Sequence, residues 1–235
     1  GIRARSVSRG LGDVYKSQHH DNLYLRNIAW GLNQISYGSE DELYINGHVT
    51  GNSPYLTFEW KAGKDGEHHE VKTQLIGEYN FANALAAVTI GHFFDVESGK
   101  IDTALKEYTP QNNRSQLKQT ADNTLIIDAY NANPTSMQAS ISNFHNMEID
   151  NKMLILGDMR ELGKDGPEEH QKIVDFLTEC GFKDVMLVGE QFAAARHDFP
   201  TYPDAPAVIE AIQKNKPHGK TILIKGSNGI KLSTV

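Results

Sequence analysis

Four short apolar runs alternate with amphipathic stretches over the second half of the chain, and that alternation limits the fold more than any other feature. Thr124 to Asp128, Lys152 to Leu156, Asp184 to Val188 and Thr221 to Lys225 have strand length. Around them Thr135 to Met147, Glu168 to Cys180, Gln191 to Arg196 and Ala205 to Asn215 read as helices. Strands separated each time by a helix pair in parallel and are covered on both faces, which predicts a doubly wound, mainly parallel sheet of about 125 residues. Pro110-Gln111-Asn112-Asn113 is polar and turn-forming, so this domain is expected to span 110–235.

The preceding residues, 19–109, are mixed. Leu23 to Trp30 reads as a helix and Gln34 to Tyr37 as a short strand. Leu56, Phe58 and Trp60 alternate with polar neighbours, as do Val71, Thr73 and Leu75, and Gly63-Lys64-Asp65-Gly66 between them makes a hairpin. Tyr79 to Phe94 is an apolar helix, with Gly99 to Glu107 a shorter one. Residues 1–18 are rich in Arg, Ser and Gly and show no apolar period. From Ser8 to Gln18 they resemble a translated sequencing adaptor, so a non-native leader is expected, with native sequence from near His19.

Composition excludes several classes. A formal net charge of -7 argues against a nucleic-acid partner, which calls for a basic face. No run approaches the roughly 18 apolar residues of a membrane span, and the amino end lacks a signal-peptide pattern; no membrane association and a cytoplasmic location are expected. The single cysteine, Cys180, excludes an internal disulfide and is expected to be a buried, inert thiol. His19-His20 and His68-His69 lack metal-ligand spacing and read as solvated loop histidines. Gly219-Lys220-Thr221 ends like a phosphate loop, but Lys214 stands where the motif requires glycine and a strand follows instead of a helix.

Open parallel sheets bind ligands beyond the carboxyl ends of their strands. There, Asp128-Ala129-Tyr130-Asn131-Ala132-Asn133-Pro134 forms a polar turn, with Pro134 suited to a first helical turn. Asp128 is placed to accept hydrogen bonds from ribose hydroxyls; equally, Asp128 and Asn133 are suited to capping a turn and a helix. Leu156-Gly157-Asp158-Met159-Arg160-Glu161-Leu162-Gly163 is a second acidic loop on the same edge, or a plain solvated connection. Arg114 could grip phosphate oxygens with its forked donors. Asn80 and Asn83, one helical turn apart, could pair with an adenine edge, or Asn80 could cap the helix and Asn83 bond to backbone. Gly226-Ser227-Asn228-Gly229 suits either an anion-holding nest or a simple turn.

Together Tyr79-Asn80-Phe81-Ala82-Asn83-Ala84-Leu85-Ala86-Ala87, Asn113-Arg114-Ser115, Asp128 to Pro134, Leu156 to Gly163 and Lys225-Gly226-Ser227-Asn228-Gly229 resemble the Mur ligase family, in order and spacing, from about Asp21 to the end. The resemblance implies the truncated end of a central α/β ATPase domain over 19–109, then a carboxyl-terminal Rossmann-like domain. It implies ATP-dependent amide formation through an acyl phosphate. The Tyr-Asn-Ala-Asn-Pro segment points to the member that adds D-alanyl-D-alanine to a UDP-N-acetylmuramoyl-tripeptide. Asn80 and Asn83 would then meet adenine, Arg114 the phosphates and Asp128 the ribose, with Tyr130 and Asn131 flanking the nucleotide. Asn133, Lys225 and Ser227 would meet the dipeptide. Asn228 departs from the arginine expected there. Magnesium ligands and the phosphate-loop lysine are expected in a missing upstream part, so this chain alone is expected to be an inactive monomer. No Gly-x-Gly-x-x-Gly turn follows any predicted strand, against a nicotinamide-dependent oxidoreductase. A ligase of the same family for another amino acid, or a non-catalytic nucleotide-binding module, stays open.

Overall fold

The structure, a computed structural model, describes residues 16–28, 33–111 and 113–235. Residues 1–15 of the expected leader, and Ala29 and Trp30 of the first expected helix, lie outside the described residues.

The first elements are β1 (Lys16–His19), α1 (Leu23–Ile28), β2 (Gln34–Gly38), β3 (Ile45–Asn52), β4 (Tyr55–Ala62) and β5 (His69–Ile76). These strands form a sheet in the order β1-β2-β3-β4-β5. Lys16 to Gln18, read as leader, lie in β1 and pair in parallel with β2. The expected hairpin residues occupy β4 and β5: Leu56, Phe58, Trp60 and Val71 are at most 1% exposed, so the period-2 pattern marks the buried face. Two helices follow, α2 (Phe81–Phe93) and α3 (Ser98–Glu107).

Contacts divide the chain into two compact units. Of the described residues, one comprises those up to His48 with Glu59–Glu70 and Ala82–Asp102; the other comprises Val49–Phe58, Val71–Phe81 and those from Thr103 to Val235. In the first, Trp60 Nε1–H donates to Asp102 Oδ1 at 2.8 Å. His69 stacks on the Trp60 indole at 4.4 Å and bonds Asp102 Oδ2 through Nδ1 at 2.9 Å. His69 is thus a packed strand residue, not a solvated loop histidine, because the indole face and the carboxylate satisfy both its ring and its nitrogen. Its neighbour His68 stays solvated.

The second unit holds β6 (Gln116–Gln119), β7 (Thr124–Asp128), α4 (Pro134–Asn146), β8 (Lys152–Gly157), α5 (Gly166–Glu179), β9 (Val185–Val188), α6 (Glu190–Ala194), β10 (Thr201–Tyr202), α7 (Ala205–Lys214) and β11 (Thr221–Lys225). The sheet order is β10-β9-β8-β11-β7-β6. All its pairings are parallel except the edge pair β6–β7. All four expected strands and all four expected helices are present, shifted by at most two residues at their ends. One face packs Met137, Ile141 and Phe144 of α4 and Ile173, Val174 and Leu177 of α5 on Leu154, Leu156 and Leu223. The other packs Val208 of α7 on Met153, Ile155, Ile222 and Ile224. That alternation along β8 and β11 is why their sequences are continuously apolar. Gly219 turns into β11 with φ 63, and a strand follows, as read against the phosphate-loop match. Cys180 ends α5 half-buried rather than buried, its thiol pushed up by partial desolvation and by Glu179. Among the described residues no helix is long and apolar enough to cross a membrane.

Candidate functional site

Parallel register decides what meets at the carboxyl edge of the second sheet. Lys225, the last residue of β11, stands opposite Asp128 of β7 on one side and Leu156 of β8 on the other. A lysine there is flanked by strands on both sides, and only 1% of it is exposed. Its ammonium donates to Asp128 Oδ2 at 2.6 Å and to the Asn131 carbonyl at 3.4 Å. Ser140, on the buried face of α4, donates its hydroxyl to the same Asp128 oxygen at 3.2 Å. A buried ammonium is tolerated because it is paired; removing one partner of such a pair costs about 3–5 kcal/mol.

A cleft of about 480 Å³ opens beside this pair, lined by Asp128, Tyr79, Asn133, Ser136 and Ser140. Tyr79 shares a hydrogen bond with Ser115 at 3.0 Å. Burial first, then the Asp128 charge, pushes its phenol up, so it stays protonated. Asn133 caps α4: its side-chain oxygen accepts from the Ser136 N–H at 2.8 Å, while Ser136 Oγ accepts from the Asn133 N–H at 3.1 Å. The helix therefore begins at Pro134, which has no N–H to satisfy. The Asn131 side-chain oxygen accepts from the Ala132 N–H at 2.9 Å.

Arg114 lies over the Tyr130 ring, 3.8 Å from its centroid. Asn113 and Ser115 on either side have left-handed φ of 57 and 47. Such a conformation is uncommon for residues other than glycine and has to be held from outside. The Ser115 hydroxyl on Tyr79 does so, as does the Gln116 side chain, which accepts from the Asn113 N–H and donates to the Pro110 carbonyl at 2.7 Å. Arg114 is exposed beside a cleft with Tyr108, Thr109 and Gln111.

The loop after β8 turns inward rather than to solvent. Asp158 is 7% exposed and caps α6, accepting from the Gln191 and Phe192 N–H groups at 3.0 Å each. His170, fully buried, accepts the Met159 N–H on Nε2 and donates from Nδ1 to the Gly166 carbonyl. An Nε2 that accepts carries no proton, so the ring is neutral and its 3.6 Å approach to Asp158 is not an ion pair. Ser227 stitches this loop to β11: its N–H donates to the Asp158 carbonyl at 3.2 Å, and its hydroxyl accepts from the Arg160 N–H at 2.9 Å. Asn228 opens a short 3₁₀ turn, Asn228–Ile230.

The structure thus brings Asp128, Lys225 and Asn131 together, and Arg114 with Tyr130, while Ser227 ties the neighbouring loop. Asn80 precedes α2 and donates its amide to the Ile76 carbonyl at 2.8 Å. Asn83 lies in the first turn of α2, within the first unit. Sequence reasoning gave no role to Tyr79, Ser115 or Ser140, whose positions depend on packing between elements distant in the chain. Tyr79 and Ser115 stood in segments that carry the family resemblance, whereas nothing in the sequence marked Ser140.

Residues 113–228 match the family model described as Mur ligase, glutamate ligase domain. The chain carries a Mur ligase domain. It is 28% identical over 222 residues to the UDP-N-acetylmuramoyl-tripeptide--D-alanyl-D-alanine ligase of Bacillus subtilis, across 87% of this chain and 48% of that one. The fold resembles a crystal structure of MurF from Acinetobacter baumannii, at TM-score 0.76 and 24% identity over 95% of this chain and 50% of that one. It also resembles MurF ligase from Thermotoga maritima in complex with ADP, at TM-score 0.78 and 16% identity over 94% and 52%. The chain spans about half the length of these curated relatives.

Proposed function

We propose that this chain is the carboxyl-terminal half of an ATP-dependent amide ligase that adds D-alanyl-D-alanine to a UDP-N-acetylmuramoyl-tripeptide. The observation that carries the reading is the likeness, along 87% of the chain, to a Bacillus subtilis ligase of that name. Nucleotide binds at the carboxyl ends of β7 and β11. Asp128 accepts from the ribose, Tyr130 and Asn131 flank the nucleotide, Arg114 meets the phosphates, and Asn80 and Asn83 meet adenine. Arg114 above Tyr130 supports this, since a forked cation beside an exposed ring offers both phosphate and base a partner. Asn133 faces the incoming dipeptide, while Ser227 and Lys225, both at most 5% exposed, act on it through the groups they hold.

In the reaction a carboxylate of the tripeptide attacks the terminal phosphorus of ATP, releasing ADP and leaving an acyl phosphate. The dipeptide amine then attacks the acyl carbon, phosphate leaves with the C–O electron pair, and the amine gives up a proton. Magnesium, when bound, neutralises the phosphate charge. Among the described residues no three His, Cys, Asp or Glu side chains converge, so no magnesium site is assigned to this chain. The sequence has no Gly-x-x-x-x-Gly-Lys-Ser/Thr loop, and the phosphate-gripping part is proposed to come from upstream. The enzyme acts in the cytoplasm as a monomer.

The test is phosphate release by the protein with upstream sequence restored, omitting ATP, magnesium, the UDP-muramoyl-tripeptide and the dipeptide in turn. Release that needs every component supports the reading; release indifferent to D-alanyl-D-alanine refutes it in favour of a different amine.

A further inference from the structure

Resting on the nucleotide reading above, we infer that Lys225 and Ser140 are positioning residues that hold the Asp128 carboxylate by one oxygen and leave the other as the acceptor for a ribose hydroxyl. Both donors converge on Oδ2, at 2.6 Å from Lys225 Nζ and 3.2 Å from Ser140 Oγ. Among the described residues Oδ1 receives no hydrogen bond. Asp128 also lines the cleft of about 480 Å³.

A carboxylate free to rotate would offer either oxygen and would lose that freedom on binding. Two donors on one oxygen fix the plane of the group before the ligand arrives. Lys225 suits this role because its ammonium is fixed in turn by the Asn131 carbonyl and by burial between β7 and β8. A lysine 1% exposed is poorly placed to touch the dipeptide itself. Its effect on ligands passes through Asp128.

The 235-residue chain is titrated with ADP and with 2′,3′-dideoxy-ADP by calorimetry or ligand-observed NMR. One charge-assisted hydrogen bond corresponds to about a tenfold preference for ADP in the wild type. Asp128→Asn and Lys225→Met are expected to abolish that preference, so that each variant binds ADP and dideoxy-ADP alike. Ser140→Ala, which removes a small group and keeps the ion pair, is expected to weaken the preference without unfolding the chain. If Lys225→Met does not fold, Ser140→Ala, which leaves the Lys225–Asp128 pair in place, decides the positioning role by itself. Lys225→Arg is expected to restore part of the preference.

A folded Lys225→Met that keeps the full preference overturns the positioning role, as does a Ser140→Ala indistinguishable from wild type. A wild-type chain that binds both nucleotides equally overturns the ribose assignment while sparing the nucleotide site. Binding of neither overturns the nucleotide reading itself and the role of Lys225 with it.

Discussion

Asn133 combines a structural role that the coordinates define with a contact that the proposed reaction asks of it, and two substitutions separate them. Asn133→Ala removes the acceptor for the Ser136 N–H, leaving that group to water at the start of α4. Met137, Ile141 and Phe144 still anchor the helix in the core, so the cost is that of a cap alone, about 1 kcal/mol within a range of roughly 0.5–2. For a chain of this size that is a fall of about 2–4 °C in melting temperature. Asn133→Asp keeps the acceptor and places a negative charge at the helix amino end, worth about 0.3–1 kcal/mol in its favour. It loses only the two amide hydrogens. Urea unfolding is expected to rank Asp at or above wild type and Ala below. In the upstream-restored enzyme, Asp is then expected to lower kcat/KM for D-alanyl-D-alanine with stability intact, if the amide hydrogens meet the dipeptide. A loss below about 0.3 kcal/mol in Asn133→Ala, or an equal loss in Asn133→Asp, would refute the capping argument.

Phe144 is 1% exposed and stacks on Phe182, so Phe144→Ala is expected to cost about 3–5 kcal/mol in urea unfolding. Gly189 has φ 120, and a β-carbon there would overlap the Asp158 carboxylate; Gly189→Ala is expected to cost at least about 1–3 kcal/mol and to loosen α6, read as faster amide exchange at Gln191 and Phe192. The Tyr79 phenol, raised above the ordinary 10.0 first by burial, keeps its proton where an unfolded tyrosine loses one. Its contribution is complete below pH 10 and is lost as pH rises from there through the folded value. Tyr79→Phe is therefore expected to flatten the fall of unfolding free energy above pH 10.

In the second sheet, the strands that sequence reveals are those whose residues are apolar on both faces. Thr221 to Lys225 and Thr124 to Asp128 fall between helices and carry Ile and Leu at consecutive positions, which suits a strand covered on two sides. β6, Gln116-Leu117-Lys118-Gln119, has one apolar residue because it lies at the sheet edge and only Leu117 reaches the core. β3 was hidden by the glycines and asparagines of Ile45-Asn46-Gly47-His48-Val49-Thr50-Gly51-Asn52; at Gly47 an added β-carbon would meet the Glu59 backbone, so close strand approach rather than apolar pattern chooses the residue. The site was legible in part for the same kind of reason. Asp128 and Lys225 could each be found because each ends a strand, whereas their pairing across 97 residues is brought about only by register.

Buried and exposed polar groups at this edge divide by task. Lys225, Asp158, His170 and Ser227 are each at most 7% exposed, and each is bonded to a strand-end loop or to the helix that follows one. A buried polar group left unpaired costs about 1–3 kcal/mol, so each of these groups is committed to its partner, and together they hold the ends of β7, β8, β9 and β11 in place. Arg114, Tyr130 and Asn131 are exposed on that fixed frame, and exposed groups can change partners at little cost. A ligand arriving here would exchange water for Arg114 and Tyr130 without breaking the frame. Asp128 stands between the two sets: one oxygen is committed to Lys225 and Ser140, and the residue itself lines the cleft. That intermediate position makes Asp128 the residue through which a change in the buried frame would reach a bound nucleotide.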